Sequence, residues 1–402
     1  MDFAQLPAPP KVSAWLDMDA LDHNIKLVNQ KTQAVKLRIA TKSIRSMDVL
    51  RYIQKHTPHF IGLMSYSAAE SVYLLQNGFD NILCAYPTLD RASVAEALKY
   101  NQQGATMIWM ADRIEHLHLL NEIGKQQQQS VEVCLDINMS MPLPKLYFGT
   151  KRSALMRKSD VKTLIEQAGS LSHITITAMM GYEAQIAGLA EHLPGKSLIT
   201  PAIKLLKNSS KRQVSRRRAS MVHWINKQGY PLKLVNGGGS GSMDFTSSQP
   251  EVTEITVGSA YYKPAYFDYM DSMQQFKPAA GFVLPVTRQP EKRVITCQGG
   301  GFIASGAIGT DKVPVVHYPP GLSLLPDEGF GEVQTPFAVD EAVIKQGNMP
   351  TIGEAVWCRH AKAGELAEHF NELVCYRGNK PLIVEGAAQV MTTYRGEGLC
   401  FH

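Results

Sequence analysis

The residue with the most chemistry within reach in this sequence is a lysine at the end of an apolar run. Leu37, Ile39 and Thr41 alternate as in a short strand, and a helical pattern takes over after Ser46, so Lys42 falls on the lip of whatever core the strand belongs to. On a rigid element a lysine can condense with an aldehyde as a Schiff base, because desolvation or neighbouring cations favour its neutral, nucleophilic form. A surface lysine at a strand terminus is the plain alternative. Two glycine-rich turns lie far downstream: Asn236, Gly237, Gly238, Gly239, Ser240, Gly241 and Ser242, then Gly258 and Ser259 ahead of Tyr261 and Tyr262. Glycines let backbone N–H groups close around phosphate oxygens, although a turn of this composition can equally be a mobile surface loop.

Other reactive side chains also follow apolar runs: Ser65, Tyr66, Tyr86, Asp136, Asn138, and the triplet Gly181, Tyr182, Glu183. A lysine for the aldehyde, glycine turns for the phosphate and an aromatic neighbour for the ring make a self-consistent pyridoxal 5′-phosphate site.

These residues need a scaffold that gathers strand ends. Short apolar runs at 37–41, 59–64, 81–85, 106–110, 131–137, 174–179, 232–235 and 252–257 alternate with helical patterns at 47–55, 67–76, 92–102, 113–123, 159–168 and 203–228. Eight such units predict a (β/α)8 TIM barrel, with ligands at the carboxyl ends of the strands and phosphate at the seventh and eighth loops. An open, doubly wound sheet fits the first units equally well, but the even count and total length favour closure. Ahead of the barrel, 1–11 carries Pro7, Pro9 and Pro10 and is extended, 15–19 is a strand, and 20–31 is a helix with Asp19 at its cap. After 271 the helical periodicity fades, and alternating stretches at 281–287, 293–298, 313–318, 355–359, 373–377 and 380–385 predict a mainly-β domain interrupted by one helix at 361–371. The expected division is a barrel over 18–272 and a β-domain built from 1–17 and 273–402.

Composition narrows the functional classes. With 402 residues, 44% of them hydrophobic and 19% charged, the chain can bury a large core. The net charge of +5 is mild, and the basic run over 204–218 lacks interleaved aromatics, so it is expected to be a solvated helix face with no nucleic-acid partner. The six cysteines are dispersed without a Cys-x-x-Cys pair, as in reduced, buried thiols. Neither a signal-peptide start nor a membrane-length apolar run is present, so a soluble cytoplasmic protein with no membrane partner is expected.

Four motifs carry a resemblance: Ala40-Thr41-Lys42-Ser43, Met180-Gly181-Tyr182-Glu183, Asn236-Gly237-Gly238-Gly239-Ser240, and Thr256-Val257-Gly258-Ser259-Ala260-Tyr261. Together they resemble the fold-type III pyridoxal-phosphate enzymes, in the alanine-racemase-like branch that holds D-threonine aldolases and D-serine dehydratases. The resemblance implies that Lys42 carries the cofactor, that Gly238, Gly239, Gly258, Ser259 and Tyr261 hold its phosphate with Asn236 in the same turn, that Arg152 meets its phenolic oxygen, and that Tyr182 lies beside its ring. The loop over 139–148 departs from the compact family motif, so a solvated basic turn is the alternative for Arg152. The resemblance also implies a homodimer acting on a small D-amino acid, by aldol cleavage or β-elimination of a β-hydroxy amino acid. A racemase and a non-catalytic pyridoxal-phosphate carrier are the alternatives.

Aldolase and dehydratase relatives place a divalent metal such as Zn or Mn beside the cofactor, held by a histidine and, two residues on, a cysteine or aspartate. Here the matching segment offers His360, but Lys362 occupies the second position and an ammonium cannot replace an anionic ligand. Cys358 or Glu365 could substitute, or the site is metal-free with His360 or Lys362 as acid or base. The segments around His317 and Gly329–Glu332 are further candidates for completing a site across a subunit boundary.

Overall fold

The computed structural model describes residues 1–195, 197–307 and 309–401. Its centre is a closed barrel of eight parallel strands: Lys36–Ala40, Phe60–Ser65, Asn81–Cys84, Thr106–Ala111, Val131–Asp136, Ile174–Gly181, Leu234–Gly237 and Glu254–Val257. Closure runs through the first and last strands, where Ile255 sits opposite Leu37 and Val257 opposite Ile39. Alternate residues of one strand face opposite ways. Leu83, Ile108, Met110, Cys134, Ala178 and Met180 therefore fill the barrel interior. Ile82, Trp109, Leu135 and Met179 join the larger core beneath the helices. Each fully buried aliphatic side chain contributes about 1.5–3 kcal/mol.

The helices start where side chains can take the free N–H groups of a first turn. Ser46 accepts from Val49, Ser67 from Glu70 and Asp90 from Ser93. For the opening helix, Met18–Thr32, the cap is Asp17 and not Asp19: its carboxylate accepts from the Ala20 amide. The helix expected over 113–123 runs on to Gln127, and Gln128 closes it with φ of 54°. A hairpin of Met141–Leu143 and Leu146–Phe148, not foreseen in the loop after the fifth strand, extends from the barrel mouth.

Ser13–Asp17 leaves the barrel and joins the C-terminal sheet, antiparallel to Ala280–Glu291 and parallel to Glu372–Arg377. That ten-stranded sheet also contains Gln334–Val339, a strand the sequence pattern does not reveal because Pro336 interrupts it. Trp15 lies opposite Gly281, whose missing side chain leaves room for the indole ring. The helix expected over 361–371 is instead a short 3-10 turn, Gly364–Glu368. Gly364 sets this geometry. Any Cβ there would fall inside the Lys42 carbonyl, so the two chain segments meet backbone to backbone. Among the described residues no helix is long and apolar enough to cross a membrane.

Candidate active site

At the carboxyl end of the barrel, roofed by the C-terminal domain, lies a cavity of about 830 Å³. Its floor is set by an ion pair inside the barrel. Arg38, with no exposed side chain, donates from Nε and Nη2 to both Glu254 oxygens at 2.7 and 2.9 Å, and from Nη1 to the Leu63 carbonyl at 3.0 Å. Asn236 donates to the same carboxylate at 2.7 Å and to Thr256 Oγ1 at 2.8 Å, which fixes the last residues before both glycine turns. A charge pair buried this deeply persists only when its other hydrogen bonds are made, and here they are.

Lys42 follows the first strand on a single 3-10 turn, Thr41–Ser43, and enters this cavity. Its Nζ donates to the Tyr86 hydroxyl at 3.0 Å. Burial pushes the Tyr86 phenol up, but the charge and hydrogen bond of Lys42, with Arg152 beside it, outweigh burial and bring the phenol below its ordinary value. The Arg152 guanidinium lies 6.0 Å from the Tyr86 ring centre and 5.9 Å from that of Tyr182. It lines the cavity while remaining exposed. Asp136, ending the fifth strand, has its carboxyl raised to about 7 by burial and by the Asp112 charge, against the pull of Arg152.

The glycine turns line the same cavity through Gly238, Gly239, Gly258 and Ser259, and Ser259 Oγ lies 3.0 Å from Ser43 Oγ. Gly238 has φ of +84°, and a Cβ there would come within 2.5 Å of Ile255 Cγ1. A Cβ on Gly258 would come within 2.8 Å of the Ser43 side chain. Both positions need glycine, which leaves main-chain N–H groups at the cavity wall as an anion cradle.

What fixes the first turn is Glu183, the last residue of the triplet after the sixth strand, with Arg218 from the basic run. Glu183, fully buried, accepts from the Gly238 amide at 3.2 Å, from Ser242 Oγ at 3.1 Å and from Thr246 Oγ1. Its charge is balanced by Arg218 at 2.7 Å, which also donates to the Gly181 carbonyl and to Gln249. The basic run is thus not simply a solvated face. Arg217 donates to the carbonyls of Asn138 and Ser140 at 2.9 and 2.7 Å, and Lys207 pairs with Glu191.

Two expected site residues stand elsewhere. The Tyr261 side chain is fully buried in the core outside the cavity wall, and its hydroxyl has no hydrogen-bond partner among the described residues. Only its backbone belongs to the turn. His360 is also buried, edge-on to Tyr262 at 6.4 Å, with neither ring nitrogen hydrogen-bonded among the described residues and no part in the cavity lining. Burial and the Arg359 charge lower its pKa to about 3. His317 packs against Phe3 and Trp15, away from this cavity, and the segment around Gly329 does not line it.

The donor set does not suit a divalent metal. Cys358 is enclosed in the sheet, Lys362 presents an ammonium, and among the described residues no three His, Cys, Asp or Glu side chains gather as metal ligands. The cavity wall facing Lys42 is formed instead by Ser305 and residues 361–365, and Lys362 donates to the Ser305 carbonyl.

Residues 16–265 match the family described as Alanine racemase, N-terminal domain. The chain belongs to that family. The family spans the whole barrel, and the resemblance carried by the Lys42 and glycine motifs holds. A 3-hydroxy-D-aspartate aldolase of Paracoccus denitrificans (strain Pd 1222) is 20% identical over 267 residues, 66% of this chain; the match spans only 62% of that relative's length. Among solved structures, D-threonine aldolase from Filomicrobium marinum superposes with a TM-score of 0.76 at 16% identity, covering 96% of this chain and 95% of the other. D-threo-3-hydroxyaspartate dehydratase from Delftia sp. HT23 gives 0.67 at 16% identity, covering 95% and 96%. These likenesses extend the shared fold from the family's barrel across the C-terminal sheet.

Proposed function

We propose that this protein is a pyridoxal 5′-phosphate-dependent lyase that cleaves or dehydrates a small β-hydroxy amino acid of D configuration. The observation that carries the reading is the position of Lys42: its amine is 3.0 Å from the Tyr86 hydroxyl, in one cavity with both glycine turns. Among the described residues cations dominate the charged lining, with Lys42, Arg45, Arg152 and Lys362 against the single acid Glu365, which suits an anionic cofactor and a carboxylate substrate.

The residues fit the cofactor. Lys42 would carry its aldehyde, the amides of Gly239 and Gly258 with Ser259 would take its phosphate in the turn that Gly238 shapes, Tyr182 would flank its ring, and Arg152 would meet its phenolic oxygen. When bound, the cofactor supplies an electron sink for charge developing at the substrate's Cα. Tyr86 holds the Lys42 amine at the cavity wall, and the C-terminal roof limits water at the reacting carbon. The proposed division is a cofactor-binding barrel over 18–272 and a β-domain of 1–17 with 273–402, working as a cytoplasmic homodimer.

The related aldolases and dehydratase act, by their names, on D-threonine and on 3-hydroxylated D-aspartate, all β-hydroxy D-amino acids, which supports the substrate class. Purified protein given pyridoxal phosphate is expected to show a visible absorbance band absent from Lys42→Ala, and to release aldehyde or ketoacid from D-threonine or D-serine. Racemisation of alanine without either product would replace the lyase with a racemase. A band with no turnover would leave a cofactor carrier.

A further inference from the structure

Resting on the lyase reading, we propose that Lys362 is the proton donor to the departing β-oxygen, and that the reaction is a metal-independent β-elimination. The barrel supplies the cofactor's cradle, but the wall over Lys42 comes from the C-terminal domain: Ser305, Ala361, Lys362, Ala363, Gly364 and Glu365. Gly364 presses this wall onto the Lys42 backbone, so a substrate whose Cα reacts beside Lys42 has its side chain against these residues.

Three of them can exchange a proton, and Ser305 and Glu365 are committed to each other. Glu365 accepts the Ser305 amide on both oxygens, at 3.1 and 3.0 Å, and the Ser305 hydroxyl as well. Lys362 is anchored to the same serine, through its carbonyl and, at 3.5 Å, its hydroxyl. An ammonium has three N–H donors, so at least one is left for a ligand in the cavity. Ser305, itself held by Glu365, thus anchors a cation on the wall of the cavity that Lys42 enters.

The step balances without an oxidant or a metal. The Cα–H bond gives up its proton to the neutral Lys42 amine, the Cα–Cβ double bond forms, and the Cβ–O bond breaks with its electron pair on oxygen. That oxygen takes a proton from Lys362 and departs as water. The proton taken up by Lys42 returns to Lys362, and the enamine, taking up one water, hydrolyses to ketoacid and ammonia.

The test uses holoenzyme with D-serine, D-threonine and D-threo-3-hydroxyaspartate, comparing wild type with Lys362→Met and Lys362→Arg. Wild type incubated with excess Zn²⁺ or Mn²⁺ and gel-filtered should retain well under one ion per subunit, and chelator should leave ketoacid release unchanged. Lys362→Met should lose roughly 10²–10⁴-fold in kcat, with the visible band and the labelling of Lys42 unaltered. Lys362→Arg, a cation that cannot give up its proton, should not recover the rate. One ion retained per subunit, activity restored by metal after chelation, aldehyde as the product, Lys362→Met within about twofold of wild type, or no ketoacid from any of the three would each overturn the proposal. Loss of the visible band in wild type would instead overturn the lyase reading beneath it.

Discussion

Arg218 and Glu183 meet at 2.7 Å with no exposed side-chain surface on either, and the glycine turn of the anion cradle hangs from that pair. Breaking a buried pair from one side strands the other charge. Arg218→Met is expected to destabilise the fold by about 3–5 kcal/mol, read as a fall in the denaturant midpoint. The double variant Arg218→Met with Glu183→Leu should recover part of that loss while still binding cofactor weakly, because the Gly238 amide loses its acceptor.

Gly238 combines a left-handed backbone with a blocked Cβ direction, whereas Gly78, φ +80°, has open space around it. Ala at Gly78 should cost only the backbone term, about 1–2 kcal/mol, and leave cofactor affinity unchanged. Ala at Gly238 should cost more and weaken pyridoxal-phosphate binding by at least an order of magnitude. Fluorescence titration of the two variants separates these outcomes.

The eight barrel strands were legible because each is a short apolar run ending in polar or glycine residues, and a one-residue error at either end does not change which turn receives Lys42. The anchor of the cradle was not. Arg218 sits in a run of basic residues, and charge composition pointed to solvent. Yet Val214, Met221 and Ile225 lie on the same buried stripe of the long helix Thr200–Lys227, and a helical-period count would have placed Arg218 among them. Tyr261 and His360 differ in the opposite direction, expected in the site but outside the cavity lining. Their motif positions are in the expected segments, but the orientation of a side chain at a strand end or turn depends on packing against Tyr262 and the C-terminal sheet, which no local pattern encodes.

Tyr86 offers a direct reading of the charge on Lys42. Its phenol is held below its ordinary value by Lys42 and Arg152 against burial. Removing the cation in Lys42→Met leaves burial as the larger influence, so the phenol should titrate at higher pH. Ultraviolet difference titration against Tyr86→Phe isolates this one tyrosine, and an unchanged or lower titration point would refute the contact.

Burial of neutral His360, with its pKa lowered to about 3, predicts acid sensitivity. Between that value and about 6.5, the ordinary histidine pKa, the unfolded chain binds a proton that the folded chain does not. Stability should therefore fall as pH drops through this window and be unaffected by this group above it. His360→Leu should flatten the pH dependence of thermal unfolding between pH 6.5 and 4. The same slope in both proteins would show that the imidazole is not held neutral.

The central claim is that the amine at position 42 is the one that takes the cofactor's aldehyde. Protein incubated with pyridoxal phosphate, reduced with borohydride, digested and mapped by mass spectrometry should carry the phosphopyridoxyl group on Lys42 at close to one per chain, with Lys42→Ala unlabelled at that peptide. Label scattered over surface lysines, equal in wild type and Lys42→Ala, would contradict it.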